Sequence, residues 1–186
     1  MESNTGMQRV LVVGIPGGGK TTLAKTLAEK TGLPLIELDQ VFWRPGWKVT
    51  PREEWRAKLT QMVAEPRWIM AGHYGNSLDV RLPRADTVII CDRNRITATR
   101  RAATRMLWSY GRVRSDMAAG CAERFEADFF RYIWSFNDRE RPRLIQALAD
   151  YGPQVAIHII PSNGMAYRFL ASVPWSTEQT SEMKTS

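Results

Sequence analysis

The sequence predicts an α/β fold organised around a parallel sheet, and three observations predict it. Five short apolar runs alternate with helix-length segments, the pattern of βαβ units. The first run stops at a glycine-rich loop that opens directly into a helix. The 186 residues are 44% hydrophobic and 24% charged, an ordinary globular composition that excludes disordered, collagenous and fibrous chains. A chain of this length suits one domain that buries about 70% of its unfolded surface.

Residues 1–8 are polar and expected to be loose. Arg9-Val10-Leu11-Val12-Val13 is a β-branched run ended by glycine, the pattern of a buried strand. Lys20 to Thr31 follows with Leu23, Leu27 and Ala28 on one side and Gly32 as its stop. Leu33 to Leu38 is the second strand. Thr50-Pro51-Arg52-Glu53 reads as a helix start, with a Thr cap, Pro at the first position and Glu three residues after the cap. That helix runs to about Glu65, before Pro66. Trp68 to Ala71 and Thr87 to Cys91 are the third and fourth strands. Helical patterns at 94–110, 122–137 and 141–150 precede a fifth strand, Gln154 to Ile160, and a short helix at 165–172. The polar stretch 176–186 is expected to be a disordered tail.

Several classes are excluded early. The N-terminus MESNTGMQRV lacks the basic segment and apolar core of a signal peptide. No uncharged apolar run approaches the ~18 residues of a membrane span, so the expected location is the cytoplasm, with no membrane partner. Cys91 and Cys121 have no Cys or His neighbours at metal-ligand spacing. The formal net charge is +7, and between Arg93 and Arg143 twelve arginines face six acidic residues. This stretch is either a solvated helical face or a site for a polyanion, nucleotide phosphates and nucleic acid both being candidates.

Gly14-Ile15-Pro16-Gly17-Gly18-Gly19-Lys20-Thr21 fits the phosphate-binding pattern G-x-x-x-x-G-K-[ST], the Walker A motif. Glycines allow backbone N–H groups to turn toward phosphate oxygens, and the helix start directs its unpaired N–H groups at the same anion. Lys20 supplies a point charge at the β- and γ-phosphates, and Thr21 a hydroxyl for Mg²⁺. Thr22 either contacts the α-phosphate or bonds within the helix. No Asn-Lys-x-Asp element for guanine is present. A compact chain with this loop at residue 14 suits a small phosphotransferase. At the end of the second strand, Asp39 points into the crevice where open α/β sheets bind ligands, to accept a proton or hold a metal-bound water, or else it caps the next turn. Phe42, Trp43 and Trp47 form either a substrate wall or core.

The segments GIPGGGKTTLA, LIELDQVFWRPGW, TPREEW, WIMAGHY and DVRLPRADTVIICDR, with the arginine-rich helices, resemble the adenylate-kinase-like P-loop proteins named after the DNA topology modulation protein FlaR. The resemblance spans residues 9–170. It implies a three-layer α/β/α P-loop fold with a five-stranded parallel sheet, a helical lid insertion, ATP and Mg²⁺. It implies one domain over 1–175, with the lid at about 93–140. By this resemblance Gly14, Pro16, Gly17, Gly18, Gly19, Lys20, Thr21 and Thr22 bind ATP, and Asp39 sits where related kinases place a substrate or catalytic acid, so that Thr21 and Asp39 serve the metal. Where the family shows Asp-Gly-Asn-Tyr, this chain has Ala71, Gly72, His73 and Tyr74. The missing acid leaves the metal to Asp39 or to Asp92, which otherwise caps the following helix. His73 is a proton carrier or a spacer. The loop Pro161 to Gly164 is implied to hold adenine, or its Ser162 or Asn163 caps a helix.

Arg101, Arg105, Trp108 and Arg112 recur at helical spacing, and Arg112 and Arg114 flank the Gly111 turn. Lid arginines in adenylate-kinase-like enzymes close over the transferred phosphoryl group, which makes Arg101, Arg105, Arg112 and Arg114 the candidates. Arg139, Arg141 and Arg143 form a second cluster, and Tyr132, Trp134 and Phe136 read as packing residues. The expected function is transfer of the γ-phosphoryl group of ATP to a small acceptor, left open between a hydroxyl compound and a nucleoside monophosphate. The alternatives are a nucleotide-binding regulator or ATPase that engages nucleic acid through the arginine-rich surface, and an ATPase that only hydrolyses. No helix-turn-helix, RRM or zinc pattern accompanies the basic charge.

Overall fold

The computed structural model describes residues 6–176. In chain order the elements are β1 (Arg9–Gly14), α1 (Lys20–Thr31), β2 (Leu35–Glu37), α2 (Leu38–Phe42), β3 (Trp43–Arg44), β4 (Lys48–Val49), α3 (Arg52–Ala64), β5 (Trp68–Ala71), α4 (Leu78–Arg81), β6 (Thr87–Cys91), α5 (Arg95–Ser109), α6 (Ala127–Tyr151), β7 (Ala156–Ile159) and α7 (Asn163–Ser172). Most of the expected tail, 177–186, and residues 1–5 lie outside the described residues.

The five expected strands form one sheet in the order β2-β5-β1-β6-β7, every pair parallel. The three central strands are buried on both faces, which explains their unbroken apolar sequences. Alternation then divides their side chains between two layers. Val10, Val12, Ile69, Ile89 and Cys91 pack with Leu23 and Leu27 of α1 and with partly buried Phe169 and Leu170 of α7. Leu11, Val13, Trp68, Met70 and Val88 pack with Val63 of α3, Leu78 of α4, and Leu144 and Leu148 of α6. The result is the expected three-layer α/β/α sandwich. Asp86 fastens its lower edge: Oδ2 accepts from the backbone N–H groups of Gln8 and Arg9 at 3.0 and 2.7 Å, and Oδ1 from the Thr87 hydroxyl at 2.9 Å.

Three local expectations are corrected. The helices expected at 122–137 and 141–150 are one 25-residue helix, α6, with Pro142 inside it. Proline removes one helical hydrogen bond, but Ile133 and Phe136 pack before it and Leu144 and Leu148 after it, so tertiary burial on both sides outweighs the local break. Thr50 does not cap α3. Its hydroxyl donates to the Phe42 carbonyl at 2.6 Å, and its N–H donates to the same oxygen at 3.0 Å, which ties the β3–β4 hairpin to the start of α3. Asp92 does not cap α5 either; Asn94 does, accepting from the Thr97 N–H at 2.8 Å, while Asp92 pairs with Arg141.

Pro142 is solvent-exposed, so Pro142→Ala restores a helical hydrogen bond without disturbing the core. It is expected to raise the unfolding free energy by about 1–3 kcal/mol in urea titration; an unchanged or lowered midpoint would show that the helix is already kinked to accommodate the ring.

Candidate functional site

A cleft of about 1180 Å³ opens at the carboxyl ends of the strands, beside the point where the strand order reverses at β1. Its floor is the Gly14–Thr21 loop. The loop is held by short contacts: the Gly18 N–H donates to Ile15 O at 3.0 Å, and the Lys20 ammonium donates to the carbonyls of Gly14 and Ile15 at 3.0 and 2.9 Å. Gly19, at φ 94°, precedes α1 and offers no side-chain cap, so the first N–H groups of the helix face the cleft, an anion-binding arrangement. Pro16 to Thr22 all line it. Burial pushes the Lys20 pKa down, an effect opposed by Cys91 and Asp39.

On one side α5, α7 and the connection after β7 frame the loop. Arg93 donates to Gly18 O, Pro161 O and Asn163 Oδ1 at 3.3, 3.1 and 2.8 Å. Arg101 donates to the same Asn163 oxygen at 2.9 Å. Ser162 caps α7, accepting from the Met165 N–H at 3.2 Å. Thus of the two possible caps Ser162 acts, and Asn163 instead gathers two arginines over the phosphate loop.

The opposite side is built by α2, the β3–β4 hairpin and the turn after β5. Asp39 lies in the first turn of α2 rather than at the end of a strand, because β2 stops at Glu37. Its carboxylate lines the cleft and accepts from the Tyr74 hydroxyl, and burial with the adjacent Asp39 charge pushes the Tyr74 pKa far up. Trp43 and Trp47 line the same wall, edge to face at 5.3 Å, whereas Phe42 packs between Trp55 and Tyr74. Trp47 and Tyr74 both carry positive φ, 61° and 40°, uncommon for aromatic residues, and both line the cleft. The Tyr74 turn is held by Arg81, which is fully buried. Its guanidinium donates to the carbonyls of Ser77, Gly72, His73 and Tyr74, at 2.6 to 3.3 Å. Burial lowers its pKa to about 10, so it stays cationic at neutral pH.

His73 lies in this turn, edge to face with Phe136 at 4.7 Å, and both ring nitrogens lack hydrogen-bond partners. Burial first, then Lys20 and Arg81, push its pKa down to about 3. The Glu140 carboxylate at 3.6 Å is beyond hydrogen-bond range and does not reverse this. A ring kept neutral near pH 7 favours the spacer reading over the proton carrier.

The roof is the 110–126 connection between α5 and α6. The helices themselves are anchored, Ala98 and Ala102 of α5 packing with Ile15, Ile133 and Phe136; of the 93–140 region only this connection stands outside the helical layers. Within it Arg114 donates to Asp116 Oδ1 at 2.9 Å and to Glu123. Burial works against the charge of Asp116 and of Arg114, but their mutual bond wins, lowering the acid's pKa and raising the base's. The Thr21 hydroxyl donates to Asp116 Oδ2 at 3.3 Å. The connection also grips the hairpin: the Trp47 indole N–H donates to Ala122 O at 2.8 Å and the Gly46 N–H to Gly120 O at 3.1 Å.

The expected arginines therefore separate. Arg101, Arg105 and Arg114 line the cleft. Arg112 lies past the end of α5 and is exposed, as is Trp108, so the four-residue face ends before Arg112. Arg105 has a buried Nε without a hydrogen-bond partner, and burial and Arg114 lower its pKa. Arg141 and Arg143 pair with Asp92 and Glu140 outside the cleft. Phe136 is core, but Trp134 is half exposed beneath Arg95.

Sequence reasoning missed Arg81, Asp116 and Glu37. Glu37 stands two residues before Asp39, a strand-like spacing that was available as a signal; nothing local marked the other two. Glu37 pairs in register with Ala71, so an acid absent from β5 is present at the same level on the neighbouring strand. Burial, then Asp116, push Glu37 up to about 7, with Lys25 at 3.9 Å opposing. Among the described residues no group of three His, Cys, Asp or Glu side chains could hold a metal alone, and no helix is long and apolar enough to cross a membrane.

Residues 10–66 match the family described as ATPase family associated with various cellular activities (AAA), a stretch from β1 through α3 that contains the phosphate loop. No curated protein sequence matches the chain. In three dimensions it is similar to the shikimate kinase of Acinetobacter baumannii solved with shikimate, with a TM-score of 0.55 at 15% identity over 90% of each chain. That likeness shows the fold. A gluconokinase from Sinorhizobium meliloti 1021 matches with a TM-score of 0.49 at 14% identity, over 90% of this chain and 93% of that one. An unliganded sugar kinase from Janibacter sp. HTCC2649 matches at 0.48 and 21%, over 89% and 93%.

The raised Glu37 gives a signed pH dependence. Between its ordinary 4.5 and about 7 the folded chain holds a proton that the unfolded chain has released, so stability falls as pH rises through that window. Glu37→Gln is expected to add roughly 1–2 kcal/mol at pH 8, a gain that shrinks toward zero at pH 4. A gain independent of pH in paired urea titrations would contradict the shift.

Proposed function

We propose that this chain is an ATP-dependent phosphotransferase that moves the γ-phosphoryl group of ATP to a hydroxyl of a small acceptor. The observation that carries the reading is that the phosphate loop and Asp39 line one cleft, together with Arg105 of α5, whose buried Nε has no hydrogen-bond partner. ATP would lie with its phosphates on the Gly14–Thr22 backbone and Lys20, and its base toward Arg93, Arg101 and α7. The acceptor would lie against Trp43, Trp47 and Tyr74. In the reacting geometry the acceptor oxygen bonds to the γ-phosphorus, the bridging P–O bond to ADP breaks, and Asp39 takes the hydroxyl proton. Lys20 and Arg105 offset charge on the phosphoryl oxygens. The site offers hard oxygen donors in Thr21 and the nearby carboxylates, a set that fits Mg²⁺. Bound to ATP, the ion would neutralise phosphate charge, with Thr21 and Asp39 as the residues expected from sequence to serve it.

Charge favours a hydroxyl acceptor over a nucleoside monophosphate. On the acceptor side Arg114 is paired with Asp116 and Glu123, and Arg124 with Glu126. On that side, among the described residues, a second phosphate would meet the Asp39 carboxylate with no cation beyond Arg105 that is free of a carboxylate partner. Ion pairs also break up the basic stretch, since Arg95, Arg131, Arg141 and Arg143 each hold a carboxylate, which weakens the nucleic-acid reading. The resemblance in sequence supports membership of the FlaR-related group, a single domain over 1–175, and a lid, for which the 110–126 connection is the candidate.

ADP formation measured with Mg²⁺·ATP against sugars, sugar acids, nucleosides and nucleoside monophosphates tests the reading. A hydroxyl compound is expected to stimulate turnover, and acceptor-independent phosphate release would replace the kinase with an ATPase. Lys20→Ala is expected to abolish nucleotide binding or turnover. Asp39→Asn should lower kcat by about 10²–10⁴-fold with ATP affinity within about threefold; full activity in that variant would remove Asp39 from the chemistry.

A further inference from the structure

In P-loop proteins the loop Ser or Thr commonly shares its Mg²⁺ with an acid from elsewhere in the fold; β5 supplies none at Ala71, and Asp39 is already bonded to the Tyr74 hydroxyl. The structure brings one from 95 residues away. Asp116 is 9% exposed, and its Oδ2 accepts from the Thr21 hydroxyl at 3.3 Å. Its other oxygen, Oδ1, is held at 2.9 Å by Arg114, which Glu123 in turn holds. The neighbouring Ser115 is held at two points, its side chain by Lys25, which donates to the hydroxyl at 3.3 Å, and its backbone by the Gln40 amide, which donates to Ser115 O at 2.6 Å. Asp116 is therefore an ionised carboxylate with one oxygen fixed by an arginine and the other directed at the phosphate-loop threonine.

This geometry is specific. Two oxygens bound side by side on Mg²⁺, at the usual 2.0–2.1 Å, lie about 2.9 Å apart. The Thr21 and Asp116 oxygens are already at 3.3 Å, so a small inward shift brings both within reach of one ion once the Thr21 proton turns away. Both are hard oxygen donors, the kind Mg²⁺ takes alongside phosphate oxygens. We propose that Asp116, delivered by the 110–126 connection, holds the Mg²⁺ of bound Mg²⁺·ATP together with Thr21. This rests on the Mg²⁺·ATP reading of the cleft. It gives the connection a task beyond covering the site: metal binding and closure of the roof are one event, because the carboxylate that holds the ion belongs to the roof.

The test is isothermal titration with a non-hydrolysable ATP analogue, across Mg²⁺ concentrations and in EDTA, for the wild type and Asp116→Asn. The Mg²⁺ concentration that half-saturates analogue binding is expected to rise about 10–100-fold in the variant, while affinity in EDTA changes less than about threefold. An unchanged Mg²⁺ dependence overturns the proposal. Tighter Mg²⁺·analogue binding in the variant also overturns it and would mark Asp116 as a plug that the nucleotide must displace. Hydrogen exchange on the wild type guards against a variant that fails to fold: residues 114–117 should gain protection with Mg²⁺·analogue beyond that with the analogue in EDTA, and equal protection counts against the proposal. A wild type that binds the analogue in neither condition overturns the nucleotide reading itself, and this inference with it.

Discussion

At Gly14 and Gly17 the phosphate loop passes so close to its neighbours that an added Cβ would lie 2.4 Å from Cys91 O and 2.3 Å from Ala98 O. Both glycines also hold positive φ, 126° and 78°, a region side chains avoid. The first contact locks the end of β1 to the end of β6, and the second seats α5 on the loop. The α5 side and the roof of the cleft follow from this close approach. Arg101 and Arg105 reach the loop because α5 lies on it, and the 110–126 connection returns over the cleft because it leaves from the end of that helix.

Buried charge is handled in two ways around the cleft. Arg81 has no carboxylate within ion-pair distance among the described residues, and four backbone carbonyls take its protons instead. A turn whose carbonyls all point inward would otherwise leave them unsatisfied, so the arginine and the turn that carries Tyr74 stabilise each other. Arg114 meets two carboxylates, and its pairing holds Asp116 ionised despite burial. Arg105 and Glu37 are the groups left under electrostatic tension. One is a cation that lines the cleft, and the other a buried acid crowded by the charges of Asp116 and Asp39. Uncompensated charge of this kind is common where a ligand completes the balance.

Much of the fold was legible because its signals are local. The run Val10 to Val13, the helix stop at Gly32, and the strands Trp68–Ala71 and Thr87–Cys91 appear where periodicity and punctuation placed them. The local signals that failed were those that tertiary contacts could outbid. Pro142 reads as a break, yet α6 continues because apolar residues on both sides of it are buried. Thr50 and Asp92 read as caps, yet each found a partner made available only by the fold, the Phe42 carbonyl and Arg141.

By itself the sequence determined the parallel α/β sandwich, the phosphate loop and the three glycine-backed residues Lys20, Thr21 and Thr22, because each depends on the order of nearby residues and on backbone stereochemistry. The tertiary structure decided which charges share the cleft. It left Arg112 outside, kept the His73 ring neutral by burial, buried Arg81 beneath the Tyr74 turn, and set Asp116 against Thr21. Those outcomes depend on pairings across up to 95 residues and on how far each group is withdrawn from water, and no periodicity in the chain records either.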